Sequence, residues 1–303
     1  MTRDLITGDL MVTSTKEIAL KFPSATLGNL YTSPCTFPHS RSWVGQASGE
    51  IKLNINEQQM LGLALAHEVD LKTLENCPSL GQMASLDLST ANYSAGLLAG
   101  ILKITKLIEL RLDFLKLTSQ DFVNLNECPT LRTIWLTGTT TEDDFLPLLK
   151  GLSGLENIVL KSTAVGDKGM TDLAALPSLK TLHLPNSVGD SGVAALAQSK
   201  SLADLDISYS KISCKAIAAL SQLKSLHTLY VNDTGLGDEA VADFKNIFGL
   251  KVLFLNGTKV SDKSIDQLAE ANLEHLELRD TRATEIGIAR LRSKLRDCAI
   301  FGP

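Results

Sequence analysis

The chain holds little that points to chemistry. Its five cysteines, Cys35, Cys77, Cys128, Cys214 and Cys298, are scattered, odd in number and without a CxxC pair, so neither a zinc nor a thioredoxin-type spacing results. No glycine-rich phosphate loop, GxGxxG, HExxH or GxSxG occurs, and no cofactor, metal or catalytic residue is expected. No apolar run reaches membrane-spanning length; the most apolar stretch is residues 60–66. The opening MTRDLITGDLMVTSTKEIALKF is interrupted by charges and threonines and lacks a signal-peptide core. Net charge is −5, with the signs interspersed, which leaves no basic footprint for nucleic acid. Reduced thiols and no leader fit a cytoplasmic protein.

What the chain has is repetition. From residue 83 to 295 one pattern recurs nine times: an apolar residue, two variable positions, an apolar residue, one variable, an apolar residue. Its anchors are Met83/Leu86/Leu88, Leu107/Leu110/Leu112, Leu131/Ile134/Leu136, Leu155/Ile158/Leu160, Leu179/Leu182/Leu184, Leu202/Leu205/Ile207, Leu226/Leu229/Val231, Leu250/Leu253/Leu255 and Leu273/Leu276/Leu278. First anchors step by 24 or 23 residues, and by 22 to Leu295. A fixed period in the twenties predicts a solenoid, in which each unit buries its apolar side against its neighbours.

One unit predicts one coil. In LENIVLKSTAVGDKGMTDLAALPS, Ile158-Val159-Leu160 alternates as a short strand, with Val159 outward. A turn hydroxyl follows at Thr139, Thr163, Ser187, Ser210, Thr234, Thr258 and Thr281. Such a group can satisfy turn amides, and stacking predicts a hydroxyl ladder. Asp167, Asp190, Asp238, Asp262 and Glu285 precede stretches of helical spacing. We read them as helix N-caps rather than catalytic or calcium-binding carboxylates. Cys214 replaces the acid in the sixth unit and predicts a weaker helix start there. Two positions on, a small residue recurs at Gly169, Gly192, Ala216, Ala240, Ser264 and Gly287, which suits close approach of the helix to the core. Cys77 and Cys128 are read as small apolar core residues.

The unit LxxLxLxxTxVxDxGLxxLxxLxx resembles the leucine-rich repeats, in particular the threonine-bearing bacterial type of large planctomycete proteins. It is similar also to the cysteine-containing repeats of F-box proteins, with threonine in place of cysteine. The resemblance covers 83–303. It implies a right-handed α/β solenoid, with a parallel sheet on the concave side and helices on the convex side, that binds another macromolecule on the sheet. The F-box likeness implies an alternative, an adaptor for ubiquitin-ligase substrates, and a structural scaffold is another.

Two regions are thus expected, a β-rich N-terminal cap over 1–80 and the solenoid over 81–303. In the cap, residues 27–32 and 49–55 read as strands and 33–42 as an irregular loop. Residues 60–66 are expected to pair back on 49–55 as a hairpin, although a helix over 56–67 also suits those residues. The last helix and a strand at 298–301 close the other end.

Outward strand positions carry the functional expectation. The residue between the second and third anchors runs Asp87, Arg111, Trp135, Val159, His183, Asp206, Tyr230, Phe254, Glu277, with Tyr209 just beyond one strand. Of these, Arg111, Trp135, His183, Asp206, Tyr209, Tyr230, Phe254 and Glu277 are the candidate contacts for a protein partner. Aromatic groups rimmed by polar ones match interface anatomy, although strands favour such residues anyway and the stripe could pack on itself. The histidines His183, His227 and His275 fall on strands at different registers, and no acid or cysteine completes a ligand set.

Overall fold

Every anchor of the nine sets is buried, none more than 5% exposed. A computed structural model of the chain describes residues 2–3, 10–11, 15–23, 26–34, 41–56, 58–67, 73–74, 76–92, 96–104 and 107–302. The chain divides into two compact units, Met1–Leu112 and Asp113–Pro303.

The first unit carries β1 (Thr2–Arg3), β2 (Leu10–Met11), β3 (Thr15–Lys21), β4 (Gly28–Pro34), β5 (Ser42–Gln46), β6 (Glu50–Asn56), β7 (Gln59–Leu65), β8 (Ser85–Asp87) and β9 (Glu109–Arg111). Residues 60–66 do form a strand, but not the expected hairpin. β7 pairs antiparallel with β4 and parallel with β8, whereas β6 pairs antiparallel with β3. The burial pattern matches this. Met60, Leu61, Gly62 and Leu63 are buried in succession, which fits an interior strand covered on both faces, while β6 alternates and is covered on one face only. The loop expected over 33–42 is shorter: Ser33 and Pro34 finish β4 and Ser42 starts β5, and 35–40 lies outside the described residues. β7, β8 and β9 align Leu63, Leu86 and Leu110, so the repeats start on the last strand of the N-terminal region.

In the second unit β10 (Thr133–Trp135), β11 (Asn157–Val159), β12 (Thr181–His183), β13 (Asp204–Asp206), β14 (Thr228–Tyr230), β15 (Val252–Phe254), β16 (His275–Glu277) and β17 (Ala299–Phe301) are all parallel. Middle anchors stack in one file, Ile134, Ile158, Leu182, Leu205, Leu229, Leu253, Leu276 and Ile300. Short helices return the chain between strands, such as Asp190–Leu196 and Cys214–Leu220. Asp143–Gly151 is instead a 3-10 helix with Pro147 inside it.

Two expectations about polar groups are corrected. Six of the seven turn hydroxyls bond within their own coil and so form no ladder; Ser187 instead donates to the Val165 carbonyl of the preceding coil. Thr139, Thr163, Thr234 and Thr258 each donate to the carbonyl three residues back, at 2.7–2.8 Å, closing the turn within its own coil. The aspartates do not cap their own helices. Gly166, Gly189 and Gly237 occupy the N-cap positions of the return segments in the fourth, fifth and seventh units. Each carboxylate instead reaches the next coil: Asp143 accepts from Gly166 N, Asp167 from Gly189 N and Asp190 from Ser213 N at 2.7 Å, Asp238 from Ser261 N and Asp262 from Thr284 N at 2.8 Å. An N–H at the start of a helix lacks an intrahelical acceptor, so a neighbour's carboxylate satisfies it and staples two coils. Cys214 breaks the series, and Gly237 N donates to Glu239 within its own coil at 3.2 Å. The helix at Cys214 is not weakened, because the Ser213 hydroxyl caps it through Lys215 N at 3.2 Å. At Gly192 and Gly287 a Cβ would stand 2.5 and 2.1 Å from the stapling carboxylates of Asp167 and Asp262. The small residue therefore makes room for the staple.

Candidate functional site

The strand residues flanking each middle anchor point to the face opposite the return segments. In the first unit that face is closed by the chain itself. Ser85 and Glu109 are fully buried and Asp87 is 9% exposed. Ser85 Oγ donates to Glu109 Oε2 at 2.7 Å and lies 2.6 Å from the buried Tyr31 hydroxyl, which must then donate to it. The Arg41 guanidinium pairs with Asp87 and lies 4.2 Å from the Tyr31 ring centre. Burial pushes the Tyr31 phenol up to about 12, against the pull of Arg41 and the Ser85 bond. A Cβ at Gly62 would sit 2.3 Å from the Tyr31 ring, so only glycine fits beneath it. Arg111, one of the candidate contacts, is half-buried with its guanidinium 3.8 Å from Glu109.

In the second unit the face is partly open. Lys161 Nζ lies 2.9 Å from Asp206 Oδ1, and His183 Nδ1 lies 3.3 Å from Asp206 Oδ2. Burial alone would raise the Asp206 carboxyl; the His183 hydrogen bond and the Lys161 ammonium outweigh it and hold the group well below the usual range. Tyr230 and Phe254 stack with centroids 4.3 Å apart and planes 10° from parallel. His275 continues the series, 5.2 Å from Phe254 and 5.1 Å from Phe301. Glu277 accepts from Asn256 Nδ2 at 2.8 Å and faces His275 and Arg279. The structure thus brings His183 to Asp206, and Tyr230 to Phe254. Trp135 is half-buried, and Val159, expected to point outward, is buried at 6% exposure. His227 precedes β14 rather than lying on it.

Beyond the third anchor the chain turns sharply. Phe114, Gly138, Ser162, Tyr209, Asp233, Gly257 and Asp280 hold equivalent positions with φ between 52° and 67°. Glycine and short polar residues tolerate that conformation; bulky side chains do not. Phe114 and Tyr209 adopt it nonetheless and stand 71% and 64% exposed. Just before this turn, polar side chains bind the next coil: Asp113 accepts from Thr137 N, Ser208 from Asn232 N, Asn232 from Asn256 N and Asn256 from Arg279 N. The inter-coil polar ladder runs here.

Sequence reasoning missed Phe114 and the His275–Phe301 contact. The signal for the first was present: an aromatic residue, as at Tyr209, at a place five other repeats give to glycine, serine or aspartate. Among the described residues no group of three or more His, Cys, Asp or Glu could hold a metal ion, and no helix is long and apolar enough to cross a membrane.

The stacked coils, with leucine-type anchors in register on parallel strands and a helical return in each unit, decide the architecture. The fold is an α/β leucine-rich-repeat solenoid. No family model matches the chain, and no curated protein matches it in sequence. Among solved structures it is similar to an internalin C2 from Listeria monocytogenes, with 21% identity over 70% of this chain and 84% of that one and a TM-score of 0.49.

Proposed function

We propose that this leucine-rich-repeat protein is a non-enzymatic, cytoplasmic interaction module that binds another protein on the outward face of its second unit. Residues 1–80 act as the cap of the repeats, and Trp135, His183, Asp206, Tyr209, Tyr230, Phe254 and Glu277 supply the contact. Arg111, tied to Glu109, stands aside from it.

The observation that carries this reading is Tyr209. A large aromatic ring is held 64% exposed on a left-handed backbone that disfavours it, and strain of that kind clusters at functional sites. Around it lie the Tyr230–Phe254 stack and ion pairs already fixed in place, so little side-chain entropy is lost on docking. Return segments occupy the opposite side of the sheet and leave these groups facing out.

The test is capture of a partner by the intact protein, followed by titration of that partner against Trp135→Ala and Tyr230→Ala. Each should weaken binding by about 1–3 kcal/mol, as central aromatic contacts do. Binding unchanged in both variants, with melting curves intact, rules this face out.

A further inference from the structure

The charges on the open face do not balance. Lys161 and His183 are engaged with Asp206, and Arg279 and His275 face Glu277. Asp204 and Asp233 remain, with no ion pair or side-chain hydrogen bond among the described residues. Asp204 starts β13 opposite Thr228 on β14, on the diagonal to Tyr230, which faces Asp206; Asp233 holds on its coil the turn position that Tyr209 holds on the preceding one. One carboxylate without an ion pair thus lies diagonal to Tyr230 at the strand starts, and the other follows Tyr209 in the turn column at the strand ends. The Tyr230 phenol registers the field: burial raises it first, and Asp204, Asp206 and Glu277 raise it further.

That combination selects an occupant. Negative potential repels acidic peptides and nucleic acid backbones. Aromatic rings next to carboxylates attract guanidinium and ammonium groups, through ring faces and charge-assisted hydrogen bonds. Three adjacent strands span about 10 Å, which about three residues of an extended chain cross.

We propose that the face formed by β13, β14 and β15 takes an extended basic segment of a protein partner, with one arginine or lysine at Asp204 and Tyr230 and a second at Asp233 and Tyr209. This deepens, and rests on, the reading of that face as the docking surface.

The probe is a short fluorescein-labelled peptide alternating arginine with serine, set against the same peptide with glutamate for arginine. Both are titrated by fluorescence anisotropy into the full chain. They are titrated also into D204N/D233N and Y209A, and into a charge-matched control, E127Q/D144N, on the return segments. The arginine peptide should bind and the glutamate peptide should not. D204N/D233N should weaken binding about tenfold, Y209A about threefold, and the control less than twofold. Equal binding of both peptides, absence of arginine-peptide binding, or equal loss in D204N/D233N and the control overturns the proposal. If the arginine peptide fails while a captured partner still depends on Trp135 and Tyr230, the basic occupant falls and the docking face stands. A partner indifferent to Trp135 and Tyr230 removes both.

Discussion

At the scale of single residues, two kinds of position are under opposite pressures. Leu205 is fully buried in the file of middle anchors. A carboxylate there has neither water nor a cation, so Leu205→Asp should cost several kcal/mol of unfolding free energy by urea titration. Tyr209 is the reverse case. Its φ of 65° suits glycine, and a left-handed L-residue carries a cost of about 1–2 kcal/mol. Tyr209→Gly should therefore raise stability by about 1 kcal/mol in the same titration while weakening partner binding. A variant less stable than the parent would show that the exposed ring contributes packing rather than contact.

At the scale of elements, the aspartate staples add to the leucine core in holding coils together. Cys214 interrupts the series, and Gly237 N donates within its own coil instead. Cys214→Asp should restore the staple and add about 0.5–1 kcal/mol by thermal unfolding, whereas Asp190→Ala should remove about 1 kcal/mol by freeing Ser213 N. No gain from Cys214→Asp would show that the carboxylate acts only locally, as a cap. Strands, anchors and return segments were legible in the sequence, because a period of 23 or 24 residues and the alternation within each strand are both local patterns. The aspartates were legible as positions and misread in role. The same residue can accept from its own helix or from the next coil, and only the distance between coils decides. The β7 pairing was illegible for a related reason: β6 and β7 are neighbours in sequence, yet β7, buried continuously over Met60–Leu63, pairs with β4 and β8 instead. Tyr31, Ser85 and Glu109 meet across 54 and 24 residues of separation, and no repeat announces them. In the outward stripe, the column was readable from register and its packing on itself was an open alternative, but its ion pairing was not readable.

At the scale of the whole molecule, carboxylates with lowered pKa values set the acid limit. Asp206 and Asp238 ionise in the native state below their ordinary value of 3.8; for each, burial opposes this, and hydrogen bonds, to His183 and to Ser264 respectively, lead the groups that outweigh it. The folded state then binds fewer protons than the unfolded one near that pH. Their stabilisation is complete above 3.8 and is lost as pH falls through it toward the folded values. The urea midpoint should stay level down to about pH 5 and fall steeply below about pH 4, with a shallower fall in Asp206→Asn. An equal slope in that variant would contradict the assignment. The central claim is that the open sheet face of the second unit is where a partner docks. Hydroxyl-radical footprinting of the complex tests it most directly, because exposed rings on both sides report at once. Oxidation of Tyr209, 64% exposed on the sheet side, should drop on binding, and that of Phe248 and Ile286, 87% and 79% exposed on the return segments, should not. Protection of Phe248 or Ile286 with Tyr209 unchanged would contradict the account.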